Sequence, residues 1–297
     1  MEQIAALSAN TAAEKVISTI GELPASPAIV SAVMGMTSSV ETDIEKLVKV
    51  LSADQALTAK VLKLSNSSFY GRSKGVSTLK EAILILGFYT LRSLVIASST
   101  HSLYKRKESN SLEQALWEHS LATAIACKVI GREIHHNNVE EAFISGLMHD
   151  LGKLILCQKM PAEYGLIVVE VQNSQRGFLE IETESIGFNH VDVAKALFDK
   201  WNFPSFISSA VYYHHDPAGE PDCREASESI AKIPLAYIVN FCDQLARYIG
   251  CGFNDAKIED LSTLPFACKL GLTQVEIDAI LENLAEIYQS EKHVFDI

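Results

Sequence analysis

Basic residues are in the minority in this chain of 297 residues, which has 25 Lys and Arg against 37 Asp and Glu. The formal net charge is therefore −12 at pH 7. A general nucleic-acid binder needs clustered Lys and Arg to neutralise phosphates. The dense basic cluster Lys105-Arg106-Lys107 is only three residues long and is interpreted as a solvated loop. We therefore expect no DNA partner.

Closely paired cysteines are also lacking, because the six cysteines include no Cys-x-x-Cys motif. This usage is typical of a reduced compartment, where cysteine serves mainly as a small apolar residue. Residues Met1 to Asn10 contain neither the basic region nor the apolar region of a signal peptide. We therefore predict a cytoplasmic protein.

An uninterrupted hydrophobic run of membrane-spanning length is absent as well. The segment from Ala82 to Ser99 is about long enough to cross a bilayer. However, it contains Gly87 and Arg92 and follows Lys80-Glu81. We interpret it as a buried core helix, or as two helices that meet near Gly87, and we predict no membrane insertion.

Convincing alternating strands are missing, whereas apolar residues recur with helical spacing along most of the chain. Apolar residues occupy positions i, i+3, i+4 and i+7 in four segments: Asp43–Leu51, Ala56–Leu64, Leu112–Ile130 and Thr273–Tyr288. Leu166 to Val171 is rich in β-branched residues, but Glu163 to Gln172 fits a helix equally well. With 48% hydrophobic residues the chain can build a substantial core, so we predict an all-α globular fold.

Two ionisable residues interrupt these apolar helix faces. His119 follows Leu116 by three residues and lies in the same apolar stripe. In the next predicted helix, which Asn138 would begin with a capping box, the apolar row from Phe143 includes Asp150. Burying a carboxylate is costly unless it is paired or bound to a metal.

His149 precedes Asp150, and adjacent helical positions are about 100° apart, so both side chains can reach an ion at the edge of this face. Lys153 lies one turn further on and projects over the same patch. These three residues favour metal binding over a purely structural role.

Four further residues extend this pattern. His190 follows Asn189, a candidate N-cap, and His214-His215 closes a helix predicted from Ser205. Asp243 lies beside the apolar side of a helix predicted from Pro234 to Ile249. Histidine and aspartate together suit Fe, Mn or Zn, and a bridging carboxylate stabilises a two-ion site. The remaining histidines are interpreted as structural: His101, His293 and the surface-loop pair His135-His136.

In this order, His119, His149-Asp150 and Asp243 resemble the H…HD…D signature of the HD phosphohydrolase superfamily. A narrower resemblance, to the HDOD (HD-related output domain) family, covers about residues 20 to 250. Its N-terminal motifs are Leu23-Pro24, Ala53 to Thr58, Leu64 to Ser67 and Glu81 to Gly87. Its C-terminal motifs are Glu182 to Gly187, His190, Trp201 to Pro204 and His214 to Pro217.

The resemblance implies a helical, cytoplasmic output module of bacterial signal transduction with signalling proteins as partners. Related HD-GYP cyclic-di-GMP phosphodiesterases use the corresponding residues to hold two or three metals. The implied metal ligands are His119, His149, Asp150, His190, His214, His215 and Asp243. The sequence departs from HD-GYP after His215, where Asp216-Pro217 stands in place of a Gly-Tyr-Pro motif.

The domain organisation that follows has four parts: an N-terminal helical extension (1–20), an N-terminal helical half (21–104), an HD-like metal-binding half (105–250) and a C-terminal helical segment (251–297). We expect a regulatory module with two divalent ions, Fe or Mn with Zn as an alternative. The competing hypothesis is a metal-dependent phosphohydrolase for a nucleotide or cyclic dinucleotide. In that hypothesis Asp150 and Lys153 are catalytic, with Lys153 stabilising charge on the phosphate.

Overall fold

The described part of the chain is helical throughout, as the sequence predicts. The computed structural model describes residues 19, 29–30, 32–33, 44–66, 75–104, 111–174, 176–220, 233–252, 261, 267 and 269–295. Within these residues there is no β-strand. The chain divides into two compact units, one of residues 1–25 and 110–281 and the other of residues 26–109 and 282–297. The predicted boundary between residues 104 and 105 falls at the edge of the described residues, because residues 105–110 lie outside them.

In the unit of residues 26–109 and 282–297, the described residues from 44 to 104 form α1 (Ile44–Ser52), α2 (Gln55–Ser65), α3 (Leu79–Leu86) and α4 (Phe88–Tyr104). Leu47, Val61 and Leu91 belong to its continuous buried apolar cluster. Two polar residues start helices α2 and α3. Asp54 accepts a hydrogen bond from the backbone N–H of Leu57, and Thr78 forms a capping box with Glu81.

Gly87 separates α3 from α4 and decides between the two interpretations of this apolar segment. Its φ of 81° lies in the left-handed region, where a Cβ would be strained. The run therefore folds as two helices that meet at Gly87. Within the described part of the chain, no helix combines the length and the apolar character that crossing a bilayer requires.

The unit of residues 1–25 and 110–281 carries the candidate site. Its helices are α5 (Ser111–Glu133), α6 (Val139–Met148), α7 (Leu151–Lys159), α8 (Pro161–Asn173), α9 (Phe178–Ile186), α10 (His190–Lys200), α11 (Ser205–Tyr212) and α12 (Leu235–Tyr248). A short 3₁₀ turn, Pro217–Gly219, follows α11. Helix α5 packs against both α6 and α12, and α10 packs against α7 and α11. The last described helix, α13 (Gln274–Phe295), is divided between the two units.

Several local expectations need correction. The apolar row from Phe143 to Leu154 does not belong to one helix, because α6 ends at Met148 and Asp150 begins α7. Asn138 precedes α6, but its side chain makes no cap hydrogen bond, and its backbone N–H donates to His136 Nδ1. His136 is buried rather than on the surface, and its Nε2 lies 2.8 Å from the carbonyl oxygen of Ile233. Val275 is 78% exposed because it lies about 200° around α13 from buried Ile277.

The side chain of Asn66, at the C-terminal end of α2, is hydrogen-bonded to the backbone of Val76, three residues before α3. Its Oδ1 accepts from the N–H of Val76 at 2.7 Å, and its Nδ2 donates to the carbonyl of the same residue at 2.8 Å. The side chain thus satisfies both backbone groups of a buried residue, as a neighbouring strand would.

We predict that Asn66→Ala increases hydrogen exchange at the Val76 amide and lowers the free energy of unfolding by about 1–2 kcal/mol, since the two hydrogen bonds to Val76 and an exposed one to the carbonyl of Leu62 are lost. Asn66→Asp is the matched control, because it keeps the acceptor for the Val76 N–H but loses the donor. It should therefore protect the Val76 amide from exchange, but in urea unfolding it should lose at least as much stability as Asn66→Ala, because its second oxygen would face the carbonyl oxygen of Val76. An unchanged exchange rate at Val76 in Asn66→Ala would show that the clamp contributes nothing.

Lys128 on α5 is fully buried, with Nζ 2.6 Å from Glu140 Oε1 on α6. Burial lowers the pKa of Lys128 to about 8, although the charge of Glu140 partly opposes this. The unfolded chain has the ordinary pKa of 10.5 and so binds more protons between these two values.

The wild-type free energy of unfolding should therefore rise with pH from about 8 to about 10.5 relative to that of Lys128→Met, by at most about 1.4 kcal/mol per pH unit. Denaturant unfolding at a series of pH values measures this difference. Comparison with the variant removes the contribution of other titrating groups. Parallel pH profiles for the two proteins would contradict the lowered pKa.

Candidate metal centre

Six helices and the turns at their ends bring all seven predicted ligands together. His119 and Asp243 lie within α5 and α12, whereas the other ligands lie at helix ends. His149 and Asp150 form the turn between α6 and α7, His190 is the first residue of α10, and His214-His215 follows α11. Six of the seven are at most 5% exposed, and His215 is half-buried. Residues far apart in sequence thus form one buried cluster.

The first cluster consists of His119, His149 and Asp243, whose ligand atoms lie within 4.8 Å of one another. His119 Nε2 is 2.9 Å from Asp243 Oδ1 and 3.2 Å from His149 Nε2. Arg247, one turn further along α12, donates to both oxygens of Asp243 at 3.1 and 2.7 Å. This arginine orients the carboxylate and balances its charge.

The second cluster consists of His190, His214 and His215, again with ligand atoms within 4.8 Å. His190 Nε2 and His215 Nε2 are 2.9 Å apart. The His214 ring lies 4.0 Å from the His215 ring, measured between centroids. Asn240 on α12 fixes the backbone here by donating to the carbonyl of His214 at 2.6 Å.

Asp150 lies between the two clusters and offers one carboxylate oxygen to each. Oδ2 is 3.3 Å from His149 Nε2 and 3.7 Å from His119 Nε2, on the side of the first cluster. Oδ1 is 3.6 Å from His190 Nε2, on the side of the second. Asp150 therefore presents a carboxylate oxygen to each of the two clusters.

Four imidazoles have Nδ1 occupied by an acceptor outside the centre. The acceptors are the carbonyl oxygen of Cys251 for His119 (3.1 Å), that of Gly146 for His149 (2.8 Å), that of Val211 for His214 (2.6 Å) and Glu182 Oε2 for His190 (2.6 Å). Each acceptor requires a proton on Nδ1, which leaves the lone pair of a neutral ring on Nε2. This second shell is typical of metal-binding histidines, because it fixes both tautomer and ring orientation.

The inward-facing atoms fit a bound cation. Lone pairs on two facing Nε2 atoms repel at 2.9–3.2 Å unless a proton or a metal ion lies between them. Two nitrogens bound at right angles to one ion, with bonds of about 2.1 Å, would be about 3.0 Å apart. Asp150 Oδ1 and His214 Nε2 are buried and have no hydrogen-bond partner. These orphaned atoms are the expected consequence of a site built for metal.

The charges around the centre point the same way. Burial alone would raise the pKa of Asp150, but the charges of His149 and Lys153 outweigh it and hold the pKa well below its usual value. Burial acts likewise on Asp243, where Arg247 and His119 dominate and lower its pKa strongly. Both carboxylates are therefore ionised at neutral pH and favour a cation in the centre.

The histidines respond differently in the two clusters. Burial lowers the pKa of His149, but Asp150 and Asp243 outweigh this and raise it, so this position favours positive charge. For His214 and His215 burial dominates and lowers the pKa well below the usual value. These two rings are neutral at pH 7, which is the form that binds a metal.

Lys153 is buried beside the centre, but its Nζ donates to Asp150 Oδ2 at 2.8 Å. The ammonium also lies 4.5 Å from the centroid of the Phe178 ring. In this structure Lys153 therefore balances the charge of a predicted ligand. It reaches the centre through Asp150.

Close packing of two backbones holds these groups in place. A Cβ added to Gly152 would lie 1.9 Å from the carbonyl oxygen of His190. Only glycine therefore allows α7 to approach the start of α10 closely enough to place Asp150 beside His190.

Sequence reasoning gave no site role to Glu182, Tyr164 or Arg247. Glu182 stands four residues after Phe178 in the buried stripe of α9, so it carries the same signal that identified Asp150. Arg247 is four residues after Asp243, a spacing at which helical charges pair. The backbone acceptors of Nδ1 leave no signal in residue identity.

The HDOD domain family model matches residues 23–217, which is more than half of the chain and includes every predicted ligand except Asp243. In the curated proteins, the chain is 22% identical over 241 residues to an uncharacterized protein from Treponema pallidum (strain Nichols). That match covers 80% of this chain and 44% of the relative, so the chain spans less than half of the length of this relative.

Solved structures give the same picture. An HDOD domain protein of unknown function from Geobacter sulfurreducens superimposes with a TM-score of 0.83 at 25% identity, covering 98% of this chain and 100% of the other. A protein from Shewanella amazonensis SB2B, described provisionally as a phosphohydrolase, has a TM-score of 0.72 at 23% identity, covering 95% of this chain and 97% of the other. The likeness to the latter concerns the fold alone. By its sequence motifs, its matched residues and its helical fold, this chain belongs to the HDOD domain family.

Proposed function

We propose that this HDOD protein is a signal-transduction module that holds two divalent metal ions. The position of Asp150 carries the proposal, because its two oxygens face two separate clusters of ligands. The first ion would be held by His119, His149 and Asp243, and the second by His190, His214 and His215. Asp150 would bridge them.

The donor set indicates the class of metal. Imidazole and carboxylate ligands suit Fe, Mn and Zn, and the clusters contain no thiolate that would favour softer ions. We favour Fe or Mn because the first cluster includes a carboxylate and shares a second one. Zn is the alternative.

Two observations support a regulatory role. The family is that of the HD-related output domains, and a structural neighbour from Marinobacter aquaeolei VT8, 19% identical, is described provisionally as a signal transduction protein. Six of the seven ligands are also almost fully buried, so the centre offers little surface to a substrate. Signalling proteins are the expected partners. The metal would then act by holding α5, α6, α10 and α12 in one arrangement.

A phosphohydrolase that acts on a nucleotide or cyclic dinucleotide is the second candidate, and the charge balance favours it. The centre and its immediate surroundings contain three carboxylates and two cationic side chains. The carboxylates are Asp150, Asp243 and Glu182, and the cations are Lys153 and Arg247. With neutral imidazoles two divalent ions would make the centre positive and attract a phosphate. Such ions, when bound, supply hydroxide near neutral pH and polarise phosphoryl oxygens. Lys153 would be released from Asp150 toward the substrate.

The metal content of the purified protein tests the two-ion centre. Protein purified without chelator and reconstituted with Fe²⁺, Mn²⁺ or Zn²⁺ should retain about two ions per chain, because each cluster supplies a ligand set for one. Asp150→Asn should retain fewer than about one, since the shared anionic ligand is lost. Elemental analysis after desalting measures both.

Asp199→Asn is the matched control, because Asp199 is an exposed residue of α10 that pairs with Lys195. It should bind metal as the wild type does. A wild-type chain that retains none of the three metals would refute the two-ion centre.

Hydrolysis assays distinguish a regulatory module from a phosphohydrolase. Metal-loaded protein is tested on bis(p-nitrophenyl) phosphate and on cyclic dinucleotides. A signalling module should show equal, background rates for the wild type and Asp150→Asn. Its metal should instead raise the melting temperature of the wild type by several degrees, as a ligand at about 100-fold its Kd does. Hydrolysis that falls at least about 100-fold in the variant would favour the phosphohydrolase and contradict the purely regulatory role.

A further inference from the structure

Glu182 is a fully buried carboxylate outside the seven predicted ligands. Burying an ionised carboxylate costs several kcal/mol unless charged or hydrogen-bonding partners compensate. Here three donors do so, and two of them belong to His190. The partners of Glu182 therefore link it directly to the second cluster.

The hydrogen bonds use both oxygens of Glu182. Oε2 accepts from the backbone N–H of His190 at 2.8 Å and lies 2.6 Å from its Nδ1. Oε1 accepts from the hydroxyl of Tyr164 at 2.8 Å. Hydrogen bonds to an ionised acceptor are shorter and stronger than neutral ones. Glu182 therefore holds both the backbone and the ring of His190.

Local sequence explains how this carboxylate meets a residue eight positions further on. Gly187, at φ 80°, ends α9 in the left-handed conformation, and Asn189 begins α10 with a capping box to Asp192. The chain therefore reverses within a few residues and presents the first N–H of α10 to Glu182. The positive end of the α10 dipole stabilises the carboxylate further.

The second shell of His190 differs in charge from that of the other three rings. His119, His149 and His214 have a backbone carbonyl at Nδ1, which is a neutral acceptor. His190 has the anion of Glu182. An anionic partner increases the electron density of the imidazole and the basicity of its Nε2.

Tyr164 keeps Glu182 in this orientation. Burial, followed by the charge of Glu182, raises the pKa of Tyr164 well above its ordinary value, so the phenol remains a donor. Its ring stacks on Phe178 with centroids 6.3 Å apart, and Lys153 lies over the same Phe178 ring. The aromatic pair thus supports the carboxylate and the lysine from one side.

We propose that Glu182, held by Tyr164, is a positioning residue of the second cluster: it fixes the tautomer and orientation of His190 and strengthens its Nε2 as a ligand for a divalent ion. This inference rests on the two-ion centre proposed above. The competing explanation is that Glu182 only caps the N-terminus of α10 by accepting from the N–H of His190, in which case its charge would not affect metal binding.

Cobalt(II) is the probe, with affinity measured by competition against a chelator and by the visible d–d absorption. Glu182→Gln preserves shape and an acceptor for Nδ1 but removes the charge. We expect it to weaken one of the two Co²⁺ sites by about 10–100-fold, the range for the loss of a second-shell partner. The stronger site and the far-UV circular dichroism should be unchanged. Tyr164→Phe should weaken the same site less.

Glu184→Gln is the matched control, because Glu184 lies on the same helix, is 63% exposed and pairs with Arg176. It should bind two Co²⁺ ions as the wild type does. In the zinc-loaded protein, the Nδ1–H proton of His190 should move upfield in the NMR spectrum of Glu182→Gln, since its acceptor is no longer charged.

The outcomes separate the two proposals. If the wild type binds no cobalt, the two-ion centre fails and the role of Glu182 fails with it. If the wild type binds two ions and Glu182→Gln binds them with equal affinity, only the positioning role is overturned. If Glu182→Gln does not fold, Tyr164→Phe decides, and unchanged affinity in that variant overturns the proposal.

Discussion

Facing imidazole lone pairs and ionised carboxylates, removed from water, are the constraint around which the helices of residues 110–281 are arranged. The Nε2 atoms of His119 and His149 and those of His190 and His215 approach one another to 3.2 and 2.9 Å. Protonating all of these rings would place several positive charges in contact in a buried space. Arg247 and Lys153 compensate part of the carboxylate charge, but neither lies between the facing nitrogens. A bound cation resolves the repulsion and the orphaned acceptors together.

Helix ends supply most of the ligands, and this has a physical reason. A side chain within a helix projects sideways, whereas residues in a turn or at the first helical position can point along the axis toward a common point. The break between α6 and α7 lets His149 enter the first cluster while Asp150 lies between the two clusters. The tight contact of Gly152 with His190 brings the starts of α7 and α10 together. The two mid-helix ligands, His119 and Asp243, then close the first cluster from one side.

The helical fold was predictable from the sequence because it leaves a periodic signal, and the same periodicity singled out His119 and Asp150. His190, His214 and His215 lie at helix ends and were predicted as ligands through the resemblance to the HDOD and HD-GYP families. Burial of Asp150 followed from its position in an apolar row, although that row proved to cross a helix break. Glu182 leaves the same signal, because it lies four residues after Phe178 in the buried row of α9. The carbonyl partners of His119, His149 and His214 could not be predicted, because every residue has a carbonyl and only the fold decides which one faces a ring. The hydrogen bond from Lys153 to Asp150 was not predicted for a related reason. The position of a lysine on a helix face shows what its side chain can reach, but not which group it binds.

Metal binding and folding are coupled in such a centre. Its ligands come from residues as far apart as 119 and 243, so the unfolded chain has no preformed site and nearly all binding free energy would stabilise the folded state. With metal bound as proposed, the same coupling would make the packing of α5, α6, α10 and α12 depend on occupancy, because removing the metal would leave facing lone pairs that can separate only if helix ends move. The second cluster should respond to such movement more than the first. Its His215 is half-buried, and its His190 is held by Glu182 and, through Glu182, by Tyr164. In the proposed two-ion centre, a change at α9 would therefore act on the second ion before the first, and this would give the proposed regulatory module a physical route from its surface to the centre.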